Sequence, residues 1–241
     1  RALLVKHGID LNEQSTSASP DAYNQGPAGQ LPDTITIDGV ERPTTNSKGQ
    51  PIHPTEAGVR KFWEWFGDSK VVDEKGRPLV VYHGSPENGI EFFDAKTEGR
   101  NTGEASENHA LGGFYFTADP NTADTYARTI EVEMANVAEQ EFGIGPKGRL
   151  PNSTTYPVYL SIRDPAELRM PVQRSTLAMA RDSGRDGAFL RGGTIEYVAF
   201  RPEQIKSAIG NTGTFDPANP DILHQGPRGA FSPATWNIAL L

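Results

Sequence analysis

The sequence predicts an α+β fold, and three observations support that prediction. One stretch has the spacing of an amphipathic helix, several short apolar runs have the length of strands, and helices do not alternate regularly with those strands. Regular alternation would indicate a doubly wound sheet, so its absence favours α+β. Hydrophobic residues make up 36% of the 241 residues, which is enough for one core of ordinary domain size.

The first helix is expected between Thr55 and Gly67. Threonine is a typical N-terminal cap and glycine a typical stop. Between them, four apolar side chains recur at i, i+3, i+4 and i+7, which places them on one helical face: Val59, Phe62, Trp63 and Phe66. We expect this face to dock on the core.

The remaining elements are taken in chain order. Asp119 and Pro120 lie at the entry of a second helix, where a capping residue and an N-terminal proline are common. The other segments give a strand-rich second half with few helices. We expect strands over 79–83, 114–118, 157–162, 187–190 and 196–200, and helices over about 121–137 and 172–182.

Glycine and proline mark the flanks of the domain. The 25 glycines and 19 prolines crowd residues 16–54 and 210–234, where apolar periodicity is absent. We therefore expect a linker or joint to an upstream module over 1–54. The folded domain is expected over 55–223, and a linker or the start of a downstream module over 224–241.

An internal repeat supports this division. The sequence ASPDAYNQGPAG at 18–29 recurs as ANPDILHQGPRG at 218–229. A repeat spaced by the length of a domain indicates one unit of a larger modular protein. The opening residue, Arg1, fits a piece of a longer chain with neighbouring domains. Chance matching between two turn-rich linkers is the alternative.

Several function classes have little support. No apolar run approaches the roughly 20 residues that span a bilayer, so we expect a soluble chain without a membrane partner. The formal charge of -8, with no cluster of Lys and Arg, argues against nucleic acid. The chain has no cysteine and no closely spaced histidine pair, so we expect no metal.

Two motifs are deceptive. Residues 143–148, GIGPKG, have the letters of a dinucleotide fingerprint, but no strand precedes them and prolines at 146 and 151 would interrupt a helix there, so we interpret them as a loop. Ser85 and Ser161 lack the G-x-S-x-G turn of serine hydrolases.

Three stretches carry the candidate chemistry. LVVYHGS ends a strand near His83, FYFTADPNTADTY has Tyr115 in a strand and Tyr126 in the helix after it, and IEYVAF begins a late strand with Glu196. In this order and spacing they resemble the ADP-ribosyltransferase superfamily, in the His-Tyr-Glu branch that includes diphtheria toxin and the poly-ADP-ribose polymerases. Two longer stretches resemble even more closely the ADP-ribosyltransferase domains of phage and mobile-element polyvalent proteins. Their sequences are WFGDSKVVDEKGRPLVVYHGS and EYVAFRPEQIKSAIG. The resemblance covers about residues 55–223.

The resemblance implies two small packed β-sheets, flanked by helices, that form an NAD cleft covered by residues 99–113. It implies catalytic roles for Glu196, His83 and Tyr115. The residues to which it assigns contacts with NAD are His83, Gly84, Ser85, Tyr115, Thr122 and Tyr126.

These residue types suit the cleavage of NAD. Breaking the bond between nicotinamide and ribose passes through an oxocarbenium-like state, which a carboxylate such as Glu196 stabilises. The flat cationic nicotinamide ring stacks well between aromatic faces, here those of Tyr115 and Tyr126. By the same resemblance His83 hydrogen-bonds ribose, and Gly84 has no Cβ to keep its backbone from the carboxamide. NAD is therefore the expected substrate, without a metal.

Two positions depart from the family's pattern. Many polymerases of this branch carry a serine eight residues after the first tyrosine; this chain has Ala123, for which Thr122 or Thr125 would have to substitute. The residue two before Glu196 is Thr194, in place of the Glu or Gln of arginine- or asparagine-modifying toxins. Arginine transfer is therefore not indicated, and no other acceptor is named.

The expected activity is mono-ADP-ribosyl transfer from NAD to a macromolecular acceptor. Kinship with polyvalent proteins implies a host protein as that acceptor, with the domain carried by a phage particle or delivered into the bacterial cytoplasm. Two alternatives stay open. In an NAD glycohydrolase water replaces the acceptor, and a catalytically silent module would only bind NAD or a partner.

Overall fold

A computed structural model describes residues 31–85, 88–94, 112–128 and 154–223. Within them the chain forms nine strands and three α-helices, so the α+β class expected from the sequence is confirmed. The predicted loop at 143–148 and most of the predicted cover at 99–113 lie outside the described residues.

The strands are β1 (Thr34–Ile37), β2 (Val40–Pro43), β3 (Val81–Ser85), β4 (Phe114–Thr117), β5 (Thr154–Leu160), β6 (Pro165–Arg169), β7 (Gly187–Arg191), β8 (Ile195–Ala199) and β9 (Ile205–Ser207). The helices are α1 (Glu56–Phe66), α2, which is helical over the described residues 120–128, and α3 (Arg174–Asp182).

Helix α1 forms where its spacing and caps predict it. The Thr55 hydroxyl accepts a hydrogen bond from the Gly58 N–H at 3.1 Å, which satisfies one of the free amides of the first turn. Gly67 has φ 57°, a left-handed conformation that ends the helix, and its N–H donates to the Trp63 carbonyl. The four predicted core residues are all buried, and Trp65, outside the predicted stripe, is buried as well. The helix is therefore covered on more than the one face that its periodicity indicates.

The strands form two sheets of very different size. β1 and β2 make an antiparallel hairpin, and the other seven strands lie in the order β6-β7-β8-β4-β3-β5-β9. All neighbours in the larger sheet are antiparallel except β6 and β7. β3 and β4 meet at the single register pair Tyr82–Thr117. We call this narrow junction the seam, because it divides the sheet into a half with β5 and β9 and a half with β6, β7 and β8.

Residues 31–54 correct the predicted domain boundary. The sequence assigns them to a linker, but they belong to the same compact unit as the rest of the described chain, which begins at Leu31. Ile35 and Ile52 are buried against α1. The Asn46 side-chain amide donates to the Tyr159 hydroxyl on β5 at 2.9 Å. Burial of apolar side chains and a buried polar bond are what define a folded segment, so the folded unit starts by residue 31.

The strand ends also shift from their predicted positions. β3 begins at Val81 instead of residue 79, because the Leu79 N–H bonds to the Val71 carbonyl. β3 runs on to Ser85, so His83 and Gly84 lie inside the strand. Four short strands, β1, β2, β6 and β9, are absent from the sequence-based expectation.

A buried glutamine holds three strand ends together. Gln204 is 4% exposed, and its amide N–H groups donate to the carbonyls of Ser161 and Asp186 at 2.9 and 2.8 Å. Its carbonyl oxygen accepts from the N–H groups of Phe200 and Arg201. Every hydrogen-bonding group of this side chain thus has a backbone partner, which fixes the ends of β5 and β8 and the start of β7 relative to one another.

Candidate active site

The candidate site lies beside the seam. On one edge β3 pairs with β5 along its whole length, from Val81 to Ser85. On the other edge the described register with β4 is confined to Tyr82. The two strands therefore part after this pair, and His83 and Gly84 lie at the point where they separate.

His83 bridges the parting strands through its imidazole. Its Nδ1 lies 2.9 Å from the carbonyl oxygen of Tyr115 on β4. A carbonyl oxygen can only accept, so Nδ1 carries the proton and Nε2 of the neutral ring is an acceptor. Burial lowers the pKa of His83 below its ordinary value, which favours this neutral form. The ring also packs edge-on against Phe93, with centroids 5.0 Å apart.

Gly84 is required by a close approach of the protein to itself. A Cβ at Gly84 would lie 1.8 Å from the carbonyl oxygen of Ala123 in α2, and 3.0 Å from the N–H nitrogen of Ala127. The helix backbone therefore occupies the space that a side chain would need. The sequence-based reason for the glycine was access to a carboxamide, and the structure supplies a second reason. Ser85, also a predicted NAD contact, is buried at 1% exposure.

Tyr115 and Glu196 share one face of the sheet. Glu196 on β8 is the register partner of Thr117, and Thr117 lies two residues from Tyr115 on β4. Side chains two apart on a strand point to the same side. Tyr115 is half-buried and packs against the cluster that contains Leu177 and Val198. Part of the Tyr115 side chain thus belongs to the core.

Tyr126 lies against Glu196. Its hydroxyl donates to Oε1 of Glu196 at 3.4 Å, across 70 residues of sequence. The Tyr126 side chain is 54% exposed, so much of its ring is open to solvent. Partial burial, and then the negative charge of Glu196, raise the pKa of Tyr126. The predicted stacking residue and the predicted carboxylate are therefore neighbours.

Thr122 has a structural role in the described contacts. Its hydroxyl donates to Oδ2 of Asp119 at 2.8 Å, and Oδ1 of Asp119 accepts from the Asn121 N–H. These bonds cap the start of α2, and they hold the pKa of Asp119 below its ordinary value. The Thr122 hydroxyl proton is thus directed to Asp119, and the predicted contact of Thr122 with NAD stays a prediction.

The structure therefore brings the predicted residues together in pairs. His83 meets the backbone of Tyr115, Glu196 meets the hydroxyl of Tyr126, and α2 lies on Gly84. Two residues with positioning roles, Ala123 and Asp119, were not among the predicted site residues. In the described ranges no three His, Asp or Glu side chains group as they would around a metal ion. No helix in the same ranges is both long enough and apolar enough to cross a membrane.

One known protein family matches part of the chain. The model of the family described as ADP-ribosyltransferase in polyvalent proteins matches residues 73–184, a stretch that contains β3, β4 and α2. Over residues 73–184 the chain is thus similar to the ADP-ribosyltransferase domains of polyvalent proteins. No curated protein is similar enough to the chain to count as a match.

The ADP-ribosyltransferase match and the geometry overlap only in part. His83, Tyr115 and Tyr126 lie inside the matched residues, whereas Glu196 lies beyond their end. Glu196 on β8 nevertheless adjoins the matched residues, through its register with Thr117 on β4 and its contact with Tyr126.

Proposed function

We propose that this domain is a mono-ADP-ribosyltransferase that cleaves NAD and transfers ADP-ribose to a macromolecular acceptor. The observation that carries the proposal is the position of Glu196. This carboxylate lies outside the family match, yet it is in register with β4 and within hydrogen-bond reach of Tyr126. A negative charge beside an exposed aromatic ring suits a site that takes a cationic ring and stabilises a cationic transition state.

The residues divide the chemistry among them. Tyr126 and the open side of Tyr115 would stack on nicotinamide. The neutral His83 would accept a hydrogen bond from a ribose hydroxyl at Nε2, and the backbone of Gly84 would hold the carboxamide. As the bond between nicotinamide and C1′ of ribose breaks, its electron pair leaves on the nicotinamide nitrogen. Glu196 stabilises the positive charge that develops on the ribose until the acceptor, losing a proton, bonds to C1′.

The acceptor in this proposal is a macromolecule of a bacterial host. The kinship with polyvalent proteins supports a macromolecule of a bacterial host that receives phage or mobile-element DNA, and a host protein fits a transferase of this kind. Water as the acceptor would make the domain an NAD glycohydrolase. A domain that bound NAD without cleaving it would be a silent module.

The test is the replacement of Glu196 by Gln. This change keeps the shape of the side chain but removes its charge, so it should act on the transition state and leave NAD affinity intact. We expect nicotinamide release to fall about 10²- to 10³-fold. Initial rates are measured with NAD labelled in nicotinamide and in adenine, with and without bacterial lysate. Glu64→Gln, which removes a carboxylate from an exposed ion pair with Lys61 on α1, is the matched control.

The outcomes separate the three activities. Adenine label on a macromolecule identifies transfer, nicotinamide release without such label identifies hydrolysis, and no release from the parent protein identifies a silent module. Glu196→Gln protein that melts like the parent and cleaves NAD at the parental rate would refute the role of Glu196.

A further inference from the structure

We propose that the Tyr126 hydroxyl positions the Glu196 carboxylate, holding one carboxylate oxygen so that the other faces the ribose of NAD. This inference rests on the proposed function and adds to it. The resemblance to known transferases gives Tyr126 a stacking ring, whereas the new role belongs to its hydroxyl. Tyr126 would then be a positioning residue as well as a binding surface.

The contact has the right direction and strength for this role. An ionised carboxylate only accepts, so the hydroxyl must donate to Oε1, which leaves Oε2 for another donor. At 3.4 Å the contact is longer than the roughly 2.5–3.0 Å of a strong O–H···O bond. It can therefore restrain rotation of the carboxylate without competing strongly with a ribose hydroxyl.

Glu196 is held on the strand side of this contact. β8 lies between β4 and β7, and Glu196 has a register partner on each of them, Thr117 and Leu190. A residue in an interior strand of a sheet has its backbone fixed on both edges. The remaining freedom of Glu196 is therefore in its side chain, which is half-buried.

Tyr126 is held on the helix side, and the chain that carries it starts beside Glu196. The Asp119 N–H donates to the Thr117 hydroxyl at 3.2 Å, and the Asp119 carboxylate caps α2. The helix then lies on Gly84 through Ala123. The segment from Thr117 to Tyr126 thus leaves the register partner of Glu196 and returns to its carboxylate. Two anchored backbones fix a geometry that a flexible loop would not hold.

The first test measures the contact without any need for catalysis. Tyrosine labelled with ¹³C at Cζ is titrated by NMR, and Tyr126→Phe assigns the Tyr126 signal. Glu196→Gln removes the negative charge that helps to raise the pKa of Tyr126, so Tyr126 should titrate at lower pH in that variant. An unchanged titration would show that the two groups do not interact and would overturn the proposal.

The second test separates the hydroxyl from the ring. Tyr126→Phe keeps the ring, so KM for NAD should stay at the parental value while kcat for nicotinamide release falls about five- to tenfold, the size of one ordinary hydrogen bond. Tyr126→Leu removes the ring too and should also raise KM. Tyr82→Phe, which removes a phenol hydroxyl from the side chain that packs against the α1 cluster, should match the parent and serves as control.

The outcomes distinguish this inference from the proposed function. A parental kcat in Tyr126→Phe would refute the positioning role while the transferase activity stands. Absence of NAD cleavage by the parent protein would refute the activity, and the positioning role with it, even if the NMR titration shows the contact.

Discussion

Replacing Gly84 by alanine should displace α2 and disable the site. The added Cβ would lie 1.8 Å from the carbonyl oxygen of Ala123, whereas such atoms do not approach closer than 3.0 Å. The strand or the helix must therefore move by at least 1.2 Å, the difference between these distances. The obstacle is backbone, so no side-chain rotation can relieve the clash.

The magnitude comes from the cost of overpacking. Forcing extra atoms into a packed interior typically costs about 1–3 kcal/mol. For a domain of this size each kcal/mol lowers Tm by roughly 2–4 °C, so we expect a fall of about 5 °C. Activity should fall more than stability, because α2 carries Tyr126 and the contact of Tyr126 with Glu196 is already 3.4 Å long. A further displacement of this size would break it.

The measurement combines thermal unfolding with nicotinamide release. Gly193→Ala is the matched control, since a Cβ there would meet nothing within 4 Å and the residue has no positive φ. We expect that variant to melt and to cleave NAD like the parent. A Gly84→Ala protein with parental Tm and parental activity would refute the close approach of α2 to β3.

Three further predictions concern the ring, the pH and the boundary. Tyr115→Phe should keep most of its NAD affinity, whereas Tyr115→Ala should lose on the order of 1 kcal/mol by calorimetry from the aromatic contact; equal affinities would make Tyr115 a core residue only. Burial lowers the pKa of His53, whose Nδ1 accepts from the Thr55 N–H, so its contribution to stability is present above pH 6.5 and is lost as pH falls below it. In urea titrations from pH 8 to 5, His53→Gln should show a weaker loss at acid pH than the parent. A chain that begins at residue 31 should melt like the full chain, whereas one that begins at residue 55 should unfold at a much lower temperature, because Ile35, Ile52 and Asn46 are gone.

Local sequence signals predicted α1 well because its determinants are local. The spacing of its apolar residues, the threonine cap and the terminal glycine all lie within one short stretch. The β1–β2 hairpin was missed although its turn, Asp38-Gly39, is a strong hairpin pair and both residues have positive φ. The density of proline and glycine around it favoured a linker, and the alternation of the short strands was too brief to outweigh that composition.

The candidate site likewise has features that the sequence predicts and contacts that it does not. His83, Tyr115, Tyr126 and Glu196 were selected from the sequence by order and spacing, and that assignment of roles stays a prediction. The contact of Tyr126 with Glu196 joins residues 70 apart. No local pattern indicates such a contact, because it depends on the register of β8 on β4. The packing of α2 on Gly84 is hidden for the same reason, since a glycine in a strand does not reveal which backbone lies over it.

The bond from His83 to the Tyr115 carbonyl separates two demands on one side chain. His83 lies one residue beyond Tyr82, which forms the described register pair between β3 and β4. Its side chain therefore joins the two strands where their backbone pairing has ended. The same imidazole would present its other nitrogen to the substrate. Structure and the proposed chemistry would thus depend on opposite nitrogens of one ring, so a side chain that only donates to the Tyr115 carbonyl should keep the strands joined while it removes the acceptor offered to ribose. Asparagine, which can donate but has no second ring nitrogen, is such a side chain.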